Sequence, residues 1–194
     1  MVSKRYIGAL VAAIGLVVGL AASVPAAPSL TNGGFETGDF TGWTGIGDTT
    51  FNGVQCPGPS SVVFQGNCSA FFGPVGTTGG ISQVVTGLIP GSQYDISFAF
   101  EADGGTPSSF QAQFGASTLL SLTNPPAGPY TLYSFSQTAS ATSETLSFAF
   151  RDDPGFLNLD AVSVTPAVPE PASLALIGVG LTGLILARRR KTGV

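Results

Sequence analysis

The strongest constraint on the fold is a strict alternation of large apolar residues with small or polar ones. In the stretch YDISFAFEADGG, Tyr94, Ile96, Phe98 and Phe100 fall on one face of an extended chain and their neighbours on the other. A period of two is typical of a strand with one face in the core and one towards solvent. The middle of the chain shows no helical periodicity, so we predict that it consists of strands.

Further runs of this kind lie between clusters of Gly, Pro, Asn and Asp, and the stretch ETLSFAFRDDPG is the clearest of them. Short strands with turn signals between them predict a single all-β sandwich. The predicted strands are residues 61–65, 81–86, 94–101, 110–115, 132–137, 145–151 and 157–164.

The N-terminal segment has the order of regions found in a secretory signal peptide. Lys4 and Arg5 precede an apolar run over residues 7–22, and small residues follow as far as Ala27. We therefore expect residues 1–27 to be a signal peptide that is cleaved after Ala26 or Ala27. An uncleaved membrane anchor is the alternative, although the run is shorter than a comfortable membrane span.

Residues 28–166 form one predicted domain, long enough for a proper core, and their charge limits what they can bind. They hold ten acidic residues and a single basic residue, Arg151, which gives a formal net charge of −9. Such a domain cannot neutralise phosphates, so nucleic acid is excluded as a partner. An acidic surface without lysine also favours a role for divalent cations.

The two cysteines, Cys56 and Cys68, are predicted to form a disulfide because the chain carries an export signal. Two buried free thiols or a metal-binding pair are the alternatives. The spacing of the two cysteines and the absence of histidine from the sequence argue against metal.

Three stretches of the middle segment together resemble the galactose-binding-like jelly rolls, the fold of many carbohydrate-binding modules. LTNGGFETGDFTGWT and FLNLDAVSV are similar to the first and last strands of that fold, and ISQVVTGLIPGSQYDISFAF is similar to its central hairpin. The resemblance implies a single jelly-roll-like β-sandwich over residues 28–166, and it leaves the ligand open.

In such modules a structural calcium commonly ties the first strand to the last, through a Glu in an Asn-x-x-Phe-Glu motif and an Asp in the final strand. The matching positions here are Glu36 and Asp160. Calcium takes about six to eight oxygens, so backbone carbonyls or water would have to complete the site. The alternative is that both acids are solvated at strand edges. Trp43, the only tryptophan, is expected in the core rather than as a sugar platform.

A short proline-containing motif begins the C-terminal segment, which is not typical of the end of a folded domain. Its two prolines favour extended geometry at the residues before them and remove two backbone donors. The result is a stiff strand that a processing enzyme can bind. The motif residues are Val168, Pro169, Glu170 and Pro171.

An apolar run over residues 172–187 follows the motif, and a basic cluster follows the run. As a helix the run is about 24 Å long, short against a hydrocarbon core of about 30 Å. The basic cluster would stay in the cytoplasm, which places the β domain outside. A plain membrane anchor is the alternative, but it leaves the prolines unexplained. The basic cluster consists of Arg188, Arg189, Arg190 and Lys191.

In this order, residues 167–194 resemble the PEP-CTERM sorting signal of Gram-negative bacteria, which the membrane transpeptidase exosortase processes. The resemblance implies a precursor tethered in the inner membrane, with an exosortase-type enzyme as partner. The product would then lie at the cell surface or in the extracellular matrix.

No catalytic residue is predicted. The sequence has no histidine, so the commonest pairs of nucleophile and base are absent. Asp103, Asp152 and Asp153 could supply the two carboxylates of a glycosidase. They lie, however, in the turn sequences EADGG and RDDPG, where Asp is favoured for backbone reasons.

Three functions remain open. The leading hypothesis is a non-enzymatic surface or matrix protein associated with exopolysaccharide in a biofilm. The second is a carbohydrate-binding module with NPPAGPYTLYSF as its candidate loop, and the third is a glycoside hydrolase. The aromatic residues considered for ring stacking are Tyr130, Tyr133, Phe71 and Phe72.

Overall fold

The structure is a computed structural model that describes residues 27–59 and 62–167. These residues form ten strands and no helix, which confirms the predicted all-β fold. The strands are β1 (Thr44–Gly47), β2 (Asn52–Gln55), β3 (Ser69–Phe72), β4 (Gly79–Thr86), β5 (Gln93–Ala102), β6 (Ser108–Phe114), β7 (Ser117–Thr123), β8 (Thr131–Thr138), β9 (Ser143–Asp152) and β10 (Leu157–Pro166).

The strands form two antiparallel five-stranded sheets that pack face to face as a sandwich. Sheet A has the order β1-β4-β9-β6-β7, and sheet B has the order β2-β3-β10-β5-β8. The alternation seen in the sequence sets the inner faces, because Tyr94, Ile96 and Phe98 on β5 are fully buried. Phe148 and Phe150 on β9 face them from the other sheet, so aromatic rings dominate the core.

The segment that resembles a central hairpin is not one. Its two strands, β4 and β5, lie in different sheets, so the connection crosses from one layer of the sandwich to the other. The turn within it has the expected form: the Ser92 amide donates to the Ile89 carbonyl at 3.0 Å. Gly91, after Pro90, has a φ of 83° that favours glycine.

The predicted strand over residues 61–65 is wrong, and residues 62–67 form a loop instead. The amides of Phe64 and Gln65 each donate to Asp160 Oδ2 at 2.9 Å rather than to a neighbouring strand. The other predicted strands are present, and Trp43 is buried as expected, with its Nε1 donating to the Asn32 carbonyl at 3.1 Å.

Several predictions concern residues outside the described ranges. The signal peptide up to residue 26, the Pro-Glu-Pro motif, the apolar run over residues 172–187 and the basic cluster all lie there. Within residues 27–59 and 62–167, no helix is long and apolar enough to cross a membrane.

Candidate functional site

A disulfide between Cys56 and Cys68 joins the end of β2 to the start of β3, as the export signal led us to expect. The bond closes the loop over residues 56–68, whose described residues Phe64 and Gln65 contact Asp160 on β10 of sheet B. The same loop carries Phe64, whose ring is 43% exposed.

Glu36 and Asp160 anchor this loop through its backbone. Asp160, on β10, is fully buried and accepts hydrogen bonds from the amides of Phe64 and Gln65. Glu36 Oε1 accepts from the amides of Asn67 at 2.9 Å and Cys68 at 3.2 Å. The two acids therefore hold neighbouring parts of one loop.

The two carboxylates also lie close to each other. A Cβ built on Gly34 would be 3.7 Å from Glu36 Cγ and 3.9 Å from Asp160 Oδ1. Burial raises the pKa of Asp160, the amide hydrogen bonds oppose that rise, and the charge of Glu36 adds to it. The structure thus brings together the pair that the resemblance singles out for calcium.

The donor set at this pair fits calcium only in part. Two loop amides and the amide of Ala161 on β10 already donate to Asp160, and two further loop amides donate to Glu36 Oε1. Those groups present hydrogens, whereas calcium needs oxygens. Calcium at Glu36 and Asp160 therefore stays a prediction.

A row of side chains crosses the outer face of sheet B. Gly53 on β2 pairs with Phe71 on β3, Phe71 pairs with Asn158 on β10, and Asn158 pairs with Glu101 on β5. Residues in register point to the same side of a sheet, so this row lies on one face. Asn158 Nδ2 donates to Glu101 Oε2 at 3.2 Å, which fixes both polar groups beside the Phe71 ring.

Aromatic rings stand at both ends of this row. Phe71 packs edge-on against Phe156, with ring centroids 5.4 Å apart. Tyr130 packs against Phe64 at 5.7 Å and donates from its hydroxyl to the Val62 carbonyl at 2.9 Å. Burial, and second the charge of Asp160, raises the pKa of Tyr130. We call Phe64, Phe71, Tyr130, Phe156, Glu101 and Asn158 the aromatic face.

The outer face of sheet A is different in character. Every aromatic residue in its strands is buried, so none of its rings is available to a ligand on that side. The aromatic residues of these strands are Phe110, Phe114, Phe148 and Phe150.

The structure separates the aromatic residues that the sequence grouped together. Phe71 and Tyr130 lie on the aromatic face, whereas Phe72 is fully buried in the core. Tyr133 faces inward and stacks on Phe98 with centroids 5.7 Å apart. Phe64 and Phe156 were missed because isolated aromatics in loops follow no periodic pattern. Their only sequence signal is that each is a large apolar residue within two positions of a turn-forming Gly.

The candidate loop NPPAGPYTLYSF lines a groove of about 370 Å³ between the edges of β7 and β8. Phe100, Leu122 and Tyr133 form part of its wall, and prolines of the loop form the rest. No charged side chain of the described residues lines this groove. It is therefore a weaker candidate for a polar ligand than the aromatic face.

The three acids considered for catalysis occupy two turns at one end of the sandwich. Asp153 accepts from Arg151 Nε at 2.8 Å, and Asp152 is fully buried. Burial, then the charge of neighbouring Asp103, raises the pKa of Asp152 to about 6. A buried carboxylate and an ion-paired one are poorly placed to reach a polymeric substrate.

Residues 167–191 match the family model described as the PEP-CTERM protein-sorting motif. The chain carries a PEP-CTERM sorting motif. The match spans the Pro-Glu-Pro residues, the apolar run and the basic cluster, in the order read from the sequence. A comparison with curated proteins found no match.

Among solved structures, the chain is similar to TmCBM61, solved in complex with β-1,4-galactotriose. The TM-score is 0.58, with 21% identity over 71% of this chain and 97% of that chain. The CBM22-1 xylan-binding domain of Paenibacillus barcinonensis Xyn10C gives 0.50, with 16% identity over 77% of this chain and 100% of that chain. Tailspike protein 4 of bacteriophage CBA120, in its enzymatically active domain, gives 0.55, with 15% identity over 72% of this chain and 21% of that chain. The likeness shows the fold, a jelly-roll sandwich of the kind found in carbohydrate-binding modules.

Proposed function

We propose that this PEP-CTERM protein is exported, is not an enzyme, and binds an extracellular glycan through the aromatic face. The observation that carries the proposal is the row of Phe71, Asn158 and Glu101, flanked by the exposed rings of Phe64 and Phe156. The buried aromatics of sheet A offer no comparable surface among the described residues.

The chemistry of the row suits a sugar. A pyranose ring presents a face of C–H groups and a rim of hydroxyls, so it needs an apolar platform with hydrogen-bonding groups beside it. Phe71 and Phe156 supply apolar area, and Asn158 and Glu101 supply a donor and acceptors a short distance away. Because these two polar groups bind each other, they are already oriented before a ligand arrives.

The sorting motif supports a location for this binding surface outside the inner membrane. We propose that an exosortase-type enzyme processes an inner-membrane-tethered precursor at Val168–Pro171 and that the β domain, residues 28–166, then reaches the cell surface or matrix. The removed segment would be residues 167–194 or part of it, and residues 1–27 would be removed as a signal peptide. A surface glycan, such as exopolysaccharide of a biofilm, is then the ligand within reach.

Hydrolysis is the weaker candidate. The two-carboxylate mechanism needs both groups at the substrate, yet Asp152 is buried and Asp153 is bound to Arg151. The other alternative is that the protein has only a structural role at the surface. That hypothesis does not explain why the rings of Phe64 and Phe156 are exposed.

Retention of the full-length protein on insoluble glycans tests the proposal. Solved proteins of similar fold are named as binding galactotriose or xylan, so a β-1,4-galactan and a xylan are the first two glycans to try. We expect retention on at least one glycan of a wider panel, competition by its soluble oligosaccharide, and no loss of glycan with time. Absence of retention across the panel would favour the structural role, and release of soluble sugar would favour hydrolysis.

A further inference from the structure

Two turns meet at the end of the sandwich next to Phe156. One follows β5 and holds Asp103 and Gly105, and the other begins at Asp152, the last residue of β9. Asp152 is fully buried, and within the described residues neither of its carboxylate oxygens has a hydrogen-bond partner. An ionised carboxylate in that position is costly unless a positive charge accompanies it.

No side chain of the domain supplies this charge. Arg151 is the only basic residue in residues 28–166, and its guanidinium binds Asp153, with Nη2 and Oδ2 2.6 Å apart. The neighbouring carboxylate of Asp103 adds a second negative charge, which, after burial, raises the pKa of Asp152 further. Two ionised carboxylates can only accept hydrogen bonds, so they repel each other.

Three oxygens converge on a space that only glycine leaves open. A Cβ built on Gly105 would lie 2.6 Å from Asp152 Oδ1, 3.0 Å from the Pro154 carbonyl oxygen and 3.1 Å from Asp103 Oδ1. A second glycine, Gly155, lies close to the other two carboxylate oxygens: its Cβ would clash with Asp103 Oδ2 and would be 2.9 Å from Asp152 Oδ2. In both turns, therefore, a glycine without a side chain lies against the carboxylates of Asp103 and Asp152.

We propose that a calcium ion binds where these oxygens meet, with the carboxylates of Asp103 and Asp152 and the carbonyl of Pro154 as protein ligands. Oxygens from carboxylates and backbone carbonyls are the ligands that calcium takes, with water completing the shell. The described residues contain no group of three or more Asp, Glu, His or Cys side chains placed for a metal. The site accordingly depends on the carbonyl and on water, which predicts an affinity in the range of extracellular modules, Kd about 10⁻⁴–10⁻³ M.

The site would also hold an exposed ring in place. The amide of Phe156 donates to Asp103 Oδ2 at 3.0 Å, and the amide of Gly105 donates to Asp103 Oδ1 at 2.7 Å. Asp103 therefore joins the two turns, and a cation on its carboxylate would fix the turn that presents Phe156.

Calcium titration of full-length protein in detergent tests the site, with heat measured by calorimetry and the melting temperature measured by circular dichroism. Asp152→Asn removes the charge at constant volume. Gly105→Ala fills the space, and its backbone φ lies outside the left-handed region, so alanine fits the conformation. The matched control is Gly128→Ala in a nearby loop, where a Cβ would meet nothing within 4 Å.

We expect saturating calcium to raise the melting temperature of the wild type and of Gly128→Ala by about 5 °C relative to chelator. Asp152→Asn and Gly105→Ala should each lose one bound calcium per chain and most of that rise. Magnesium should bind more weakly, because it requires shorter bonds in octahedral geometry. The proposal is overturned if the wild type binds no calcium, or if Asp152→Asn binds it with unchanged stoichiometry and affinity. Since Asp152→Asn keeps the side-chain volume, it decides the question even if Gly105→Ala fails to fold.

Discussion

Phe72 and Phe150 stack face to face across the sandwich, with ring centroids 3.9 Å apart and planes inclined by 1°. Phe72 belongs to β3 of sheet B and Phe150 to β9 of sheet A, so the pair is a direct contact between the two layers. Both side chains are fully buried. This contact lies beneath the row that forms the aromatic face, because Phe71 directly precedes Phe72 on β3 and points to the opposite side of the sheet.

Replacing Phe150 by alanine should lower the free energy of unfolding by about 3–5 kcal/mol, since it removes a buried ring and leaves a cavity. Phe156→Ala is the control, because that ring is 45% exposed and its loss should cost far less. Urea denaturation monitored by circular dichroism measures both. Equal losses in the two variants would mean that the stacked pair is not part of a packed core.

Reduction of the Cys56–Cys68 disulfide should cost about 3 kcal/mol, as expected for a loop of about this length. Cys56→Ala with Cys68→Ala should show the same loss, and a reducing agent should not affect that double variant further. The comparison uses unfolding with and without reductant. If the wild type is insensitive to reductant while its thiols become alkylated, the bond does not contribute to stability.

Removing one anchor of the 56–68 loop separates two roles for Glu36 and Asp160. Asp160→Asn should destabilise the protein by about 1.5–3 kcal/mol even in chelator, because the charge that accepts the loop amides is lost. If the pair also binds calcium, Asp160→Asn and Glu36→Gln should each lose a calcium response that Asp152→Asn retains. Asp95→Asn, half-buried on the same face of the sheet, is the matched control. If Asp160→Asn and Glu36→Gln both respond to calcium as the wild type does, these two acids hold the loop and do not bind calcium.

Changing Pro169, Glu170 and Pro171 together to alanine should leave unprocessed precursor in the inner membrane of the native host. The substitution restores backbone donors and removes the extended geometry that the prolines favour. Intact mass of the protein in membrane, surface and medium fractions gives the readout, with Thr192→Ala as a control outside the motif. Normal processing of the triple variant would contradict the role given to the motif.

The sequence predicted long strands and missed short ones for a physical reason. β5, β9 and β10 are ten residues long each, so their alternation is visible without any knowledge of partners. β1 and β2 have four residues each and contain glycine, and their pairing with β4 and β3 defines them. β7 does not alternate regularly, because it carries two adjacent leucines. Its pairing with β6 shifts register between Ala112 and Gln113.

The candidate site was only partly predictable for a related reason. Glu36 and Asp160 could be paired by resemblance, and Phe71 and Tyr130 were among the rings considered. The choice between Phe71 and Phe72 depends on which side of β3 faces the core, and a strand of four residues does not reveal that. The backbone amides of Phe64 and Phe156 donate hydrogen bonds to acids distant in sequence, Asp160 and Asp103, and local sequence cannot show these contacts.

The most direct test of the account is the retention of Phe71→Ala on the glycan that retains the wild type. The control is Val84→Ala, which removes an exposed apolar side chain, 57% accessible, from sheet A. We predict that Phe71→Ala loses at least about tenfold in affinity, a change of about 1.4 kcal/mol, while Val84→Ala binds as the wild type does. Equal retention of the two variants, with both folded, would contradict the assignment of the aromatic face as the binding surface.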